Sequence, residues 1–139
     1  MIAQAEHKDT IINRQGKTKD IMQAVVDCYN SDYAQVQELA DNFPGNDTLS
    51  RCRAVFDFVD KNIKYQIDPL QKQWIRTPAR LWSDGEGDCK SFSIFICSCL
   101  RCMGIPHLFR FAAYEGNSDP THVYAVAIDE SGKEIIVDP

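Results

Sequence analysis

An α+β fold is predicted, on three observations. Helical periodicity fills the first part of the chain, one almost wholly apolar helix with a glycine-punctuated start lies near its middle, and three strand-like runs follow it. That order, helices first and an antiparallel meander last, is the pattern of helices packed on one side of a sheet.

Residues 1–17 are polar and without a clear period, and read as a loose arm or a short docking segment. Residues 19–30 carry Ile21, Met22, Val25, Val26 and Tyr29 at helical spacing, and residues 32–43 repeat the pattern with Tyr33, Val36, Leu39 and Ala40. Pro44, Gly45, Asn46 and Asp47 break the chain. Asp47 or Thr48 can cap a third helix, whose face of Cys52, Val55, Phe56, Val59 and Ile63 runs to about Lys64. Residues 65–82 contain Pro69 and Pro78 and hold no period, so they read as a long connection with a turn of helix after Pro78. A connection of that length inside a compact domain is usually disordered or functional, and Trp74 and Trp82 argue against disorder.

The central helix is expected over residues 89–103, apolar on nearly every face through Phe92, Ile94, Phe95, Ile96, Cys97, Cys99, Leu100 and Met103, as a helix surrounded by other elements must be. Gly104 suits its C-terminal cap and Pro106 prevents continuation. The strand-like runs are residues 108–114, 122–129 and 134–137, joined by turn-rich residues 115–120 and by Glu130, Ser131 and Gly132. Residues 18–139 are therefore expected to form one domain.

A net charge of -5 with no run of Lys or Arg argues against nucleic acid or an anionic membrane as the main partner. Residues 1–16 contain no apolar core of the length a secretory signal needs and no segment approaches the length of a membrane span, so the chain reads as cytoplasmic. The six cysteines (28, 52, 89, 97, 99 and 102) lie in helical, apolar sequence rather than between turns, which favours reduced, packed thiols over a disulfide framework.

Cys89 stands apart from the other five. Gly85, Glu86, Gly87 and Asp88 deliver it to the first turn of the central helix, where free N–H groups and the helix dipole favour thiolate over thiol. Asp88 is the expected N-cap, accepting from the Ser91 amide. A thiol nucleophile needs a base, and the base needs a third group to orient it. Of the three histidines, His7 lies in the arm and His107 just past the central helix, whereas His122 opens a strand beside a turn, where the sheet holds a polar group rigidly. If Glu130, Ser131 and Gly132 form a three-residue loop, Asp129 pairs with Lys133 and Asp138 faces Tyr124. Asp138 is then a diagonal neighbour of His122 at roughly 7–8 Å between backbone positions. A two-residue loop of Ser131 and Gly132 places Asp138 on the other face and pairs Ile128 with Ile135 and Val126 with Val137; periodicity admits both registers.

Gly87-Asp88-Cys89 opening an apolar helix that ends at Gly104-Ile105-Pro106, followed by Thr121-His122-Val123-Tyr124 and Val137-Asp138-Pro139, resembles the transglutaminase-like superfamily of papain-type cysteine enzymes. Tyr65, Asp68 and Arg76-Thr77-Pro78 are similar to the lead-in segment of its bacterial and phage members. The resemblance implies an α+β core with Cys89 as nucleophile, His122 as general base and acid, and Asp138 as the orienting carboxylate. It implies a second oxyanion donor from an upstream aromatic side chain, Trp74 or Tyr65, beside the Cys89 backbone N–H. Two departures are Lys90 after the cysteine and a chain end one residue past Asp138, where the family's sheet usually continues; a domain trimmed at its C-terminal side is expected. The implied chemistry is amide hydrolysis or acyl transfer through a thioester, on a protein or peptide substrate and without a cofactor. Two other readings stay open: a catalytically silent binding or assembly module on the same fold, and a small zinc or thiol-redox protein built on Cys99 and Cys102.

Overall fold

The computed structural model describes residues 9–13, 18–69, 72–112 and 122–139. In chain order its elements are β1 (Asp9–Asn13), α1 (Thr18–Asp32), a 3-10 turn (Tyr33–Val36), α2 (Gln37–Asp41), α3 (Thr48–Asn62), β2 (Lys64–Tyr65) and β3 (Lys72–Arg76). They continue with α4 (Pro78–Asp84), β4 (Glu86–Gly87), α5 (Cys89–Cys102), β5 (His107–Ala112), β6 (His122–Ile128) and β7 (Glu134–Val137). This is the α+β arrangement the sequence predicts.

Helix α5 is the organising element. Every residue from Lys90 to Leu100 is buried, and α1, α3, α4, β3, β5 and β6 all pack against it. Its Ser, Cys, Ile and Phe residues are indifferent helix formers, so packing holds it: Ile94, Phe95, Ile96 and Leu100 are each 0–1% exposed and contribute about 1.5–3 kcal/mol apiece by burial. It ends as the sequence predicts. The Gly104 N–H donates to the Arg101 carbonyl and the Ile105 N–H to the Leu100 carbonyl, a Schellman pair that Gly104 closes at φ 72°.

Three antiparallel strands in the order β5-β6-β7 cover one side of α5. The β6–β7 register pairs Ala125 with Val137 and Ile128 with Glu134, and the Asp129 N–H donates to the Lys133 carbonyl. This is the three-residue loop, with Gly132 in the left-handed region at φ 86°. The Asp129 side chain accepts the Ser131 and Lys133 amides and closes the loop from within. Val123, Ala125 and Ala127 are buried, and the alternation puts His122 and Tyr124 together on the other face.

The structure differs from the sequence prediction in the first half. The helix expected over 32–43 is broken into the 3-10 turn and α2, because Asp32 and Val36 leave helical geometry without side-chain caps while Val36, Leu39 and Ala40 turn into the core. The connection over 65–82 contains β2, β3 and α4. β3 pairs antiparallel with β1, which lies inside the segment read as an arm; the backbone register sets Ile11 opposite Trp74 and Thr10 opposite Ile75. Neither strand has a period of its own to reveal it, since the pairing joins segments about sixty residues apart. The 3-10 turn aside, α3 follows expectation closely, with an Asp47–Ser50 capping box. Residues 113–121, including the turn expected at 115–120, lie outside the described residues.

Candidate active site at the start of α5

The loop before α5 is shaped by what a side chain at Gly87 would strike: a Cβ there comes within 2.6 Å of Leu81 Cδ1 and 3.2 Å of Ser91 Cβ. The backbone therefore runs tight against α4, and β4 pairs in parallel with β2, Tyr65 opposite Gly87. That short ladder, with the Gln66 N–H donating to the Gly87 carbonyl at 2.8 Å, sets Tyr65 beside the start of α5. Asp88 is the N-cap, as expected, but its carboxylate accepts from the Lys90 amide at 3.0 Å rather than from Ser91. Ser91 Oγ faces the Arg76 amide, at 3.4 Å.

Cys89, half-buried, is the first residue of α5. The Tyr65 side chain and the backbone N–H of Val123, the residue after His122, lie beside its thiol and favour its anion. The Tyr65 hydroxyl also lies near the Cys89 backbone N–H. Its ring meets Phe92 edge-on at 5.3 Å. Trp74, the other aromatic candidate, lies on β3 with its amide bound to Asp68 and the Arg76 guanidinium 5.6 Å from its ring centre.

His122 Nε2 and Asp138 Oδ2 are 2.9 Å apart. A neutral imidazole bonded this way keeps its hydrogen on Nε2 and its lone pair on Nδ1. The Tyr124 ring stacks on the imidazole with centroids 5.6 Å apart. The structure thus brings Cys89 together with Tyr65 and with the start of β6, and His122 together with Asp138.

One electrostatic expectation is corrected. Burial first, and then the Asp88 carboxylate, push the Cys89 thiol above its ordinary value; the Val123 amide, the Lys90 ammonium and the Tyr65 hydroxyl pull it back without reversing the shift. The helix start does not bring the thiol below its ordinary value, because the adjoining cap is itself an anion and the sulfur is largely removed from water. Burial likewise raises Asp88, with Lys90 opposing. Tyr65 is raised by burial and by the thiol beside it, so its hydroxyl keeps its proton.

The sequence passes over a buried charge network. Lys90 is 5% exposed, Asp68 6% and Asp88 4%. Lys90 Nζ pairs with Asp88, lies 3.6 Å from Asp68 Oδ2 and donates to Gln73 Oε1 at 2.7 Å. Asp68 Oδ1 pairs with Arg76, which also meets Asp84 at 3.0 Å. A lysine and an arginine spaced among aspartates on either side of the nucleophile were its only sequence signal.

All six cysteines are free thiols. Cys99 is fully buried, the Cys102 thiol donates to the Tyr33 carbonyl at 3.5 Å, and no group of three or more His, Cys, Asp or Glu is placed to hold a metal among the described residues. The C-x-x-C pair thus finds no further ligands there.

A buried helix presenting a cysteine at its N-terminus to an antiparallel sheet, with a His–Asp pair at the edge of that sheet, is the arrangement of a papain-like α+β core. Residues 37–139 match the family model of the transglutaminase-like superfamily, and the chain belongs to that superfamily. Two solved structures share the fold. One is a proposed protease from Parabacteroides distasonis, 11% identical, with a TM-score of 0.68 over 87% of this chain and 26% of that one. The other is a proposed cysteine protease from Cytophaga hutchinsonii, 20% identical, with a TM-score of 0.59 over 94% of this chain and 48% of that one. The chain thus spans half or less of the length of each. No curated protein matches it in sequence.

Proposed function

We propose that the chain is a cysteine-dependent amide hydrolase or acyltransferase of peptidase type, in which Cys89, His122 and Asp138 act on a protein or peptide amide. The His122–Asp138 contact at 2.9 Å, one residue from the amide that touches the Cys89 thiol, carries this reading. The resting thiol is protonated, so His122 Nδ1 takes its proton as sulfur attacks the amide carbonyl carbon. Asp138 holds Nε2–H and stabilises the imidazolium that forms. The Cys89 N–H and the Tyr65 hydroxyl are the oxyanion donors: the incoming carbonyl oxygen takes the place that the Tyr65 oxygen holds against the amide, and Tyr65 turns its hydrogen toward it. The C–N bond breaks as His122 returns the proton to the amine. Water, deprotonated by the same imidazole, then cleaves the thioester and restores the thiol. Water is the default acceptor, since no side chain among the described residues marks an amine site.

Two measurements test this. Limiting iodoacetamide should alkylate Cys89 ahead of the other five thiols, at a rate that falls about 10²-fold or more in His122→Ala. A screen of peptides and glutamine amides should give turnover that Cys89→Ala abolishes. Equal, slow labelling of all six thiols defeats the proposal; selective labelling without turnover on any amide favours a binding module that has kept the site.

A further inference from the structure

We propose that Asp68 is a positioning residue for Tyr65: clamped by Lys90 and Arg76, it fixes the stretch that holds the Tyr65 hydroxyl against the Cys89 thiol. This rests on the reading of Cys89 as nucleophile and Tyr65 as its donor.

The chain path carries the argument. After Tyr65 the backbone has no regular structure to residue 69, and Ile67 is 70% exposed. Of residues 66–69 only Asp68 is buried, so apolar side chains of this stretch do not hold it, and Tyr65 itself is 42% exposed. Three polar anchors hold it instead. The Gln66 N–H meets the Gly87 carbonyl at 2.8 Å, the Gln73 side chain donates to the Pro69 carbonyl at 2.8 Å, and between them the Asp68 carboxylate turns inward. Asp68 is the one with the most partners: Arg76 Nη1 on Oδ1, and the Trp74 amide at 2.8 Å and Lys90 on Oδ2.

Chemistry explains why the clamp sits where it does. Lys90 follows the nucleophile directly, so its ammonium ties the start of α5 to whatever it pairs with. Its carboxylate partners are Asp88, the cap of α5, and Asp68, three residues beyond Tyr65. One buried cation therefore connects the segment that carries Cys89 with the segment that carries Tyr65. Arg76 completes the charge balance and secures Asp68 to β3. Groups buried and fully paired in this way hold a single arrangement, since every alternative leaves a charge without a partner.

A merely structural network would lower stability and leave the thiol chemistry unchanged. A positioning role makes Asp68 and Tyr65 act through one hydrogen bond, which a double-mutant cycle detects. The measured quantity is the rate constant for alkylation of Cys89 by iodoacetamide from pH 6 to 10, read by peptide mapping so that only Cys89 is counted. Tyr65→Phe should slow it about fivefold to tenfold at neutral pH, the size of one hydrogen bond to a thiolate, and move the profile to higher pH. Asp68→Asn should do the same, and the double variant should fall no further than Tyr65→Phe. Rates that multiply in the double variant, or an Asp68→Asn profile like the wild type with only a lower Tm, overturn the proposal. Should Asp68→Asn fail to fold, Arg76→Gln loosens the same carboxylate without touching Cys89 and is held to the same cycle. The two readings fail separately: loss of selective Cys89 labelling in the wild type defeats the nucleophile, whereas selective labelling with independent Tyr65 and Asp68 effects defeats the positioning role alone.

Discussion

At Cys89 two local effects oppose each other. The first turn of α5 offers N–H groups that favour an anion, while burial and the Asp88 carboxylate favour the neutral thiol and prevail. The sign gives a pH dependence. With the thiol raised above its ordinary value, the thiolate is scarce at neutral pH and grows as pH rises, so alkylation of Cys89 should still be climbing above pH 9. Asp88→Asn keeps a capping side chain and removes the nearest anion, which should shift that profile to lower pH; a pH–rate series checks both. A plateau already reached below pH 7 contradicts the assignment. The candidate nucleophile was legible because glycine punctuation and an N-cap are local signals. Its protonation state was not, because it depends on how much water the folded molecule removes from the sulfur and on Tyr65 and Val123 arriving from elsewhere.

The elements that present the site depend on two glycines for different reasons. Gly132 supplies a positive φ in the β6–β7 loop, where no atom obstructs a side chain, so Gly132→Ala should cost only the left-handed strain of about 1–2 kcal/mol in urea unfolding. Gly87 supplies room instead. A methyl there drives into Leu81, which is wholly buried, and into Ser91, so Gly87→Ala should destabilise by about 1–3 kcal/mol and also slow Cys89 alkylation, since the helix start must shift. The β6–β7 hairpin also shows where pattern reading stops. Both candidate registers match apolar residues across the strands, and the observed one sets Val126 against Ile136 and Ala127 against Ile135. What selects it is the Asp129 side chain gathering the loop amides, together with Glu130 accepting the Thr48 N–H at 3.0 Å from the start of α3. The second of these joins residues more than eighty apart, and no periodicity in the hairpin reports it.

Over the whole molecule the buried thiols link stability to pH. Burial raises Cys52 to about 11 and Cys28 to about 12, so both stay protonated in the folded chain after an unfolded chain has ionised them. The sign is that of a raised folded value: the contribution is complete below the unfolded value near 9 and is lost as pH climbs toward 11 to 12. Unfolding free energy should therefore fall above pH 9, and Cys52→Val should make that fall shallower by about 1.4 kcal/mol per pH unit, as urea titrations from pH 7 to 10.5 would record. An unchanged slope in Cys52→Val rules the thiol out as a contributor.

By itself the sequence determined the α+β class, helix α3, the buried central helix with its cysteine and caps, the order of the three strands that follow it, and the His122–Asp138 pair as one of two alternatives. Those are short-range matters of period, cap and turn residue, decided within a few residues of chain. Only the tertiary structure decided the β1–β3 pairing, the hairpin register, the upward push on the Cys89 thiol and the Lys90–Asp68–Arg76 network. Each of these is a balance of desolvation and pairing among groups far apart in sequence, and that balance exists only once α5 has been enclosed.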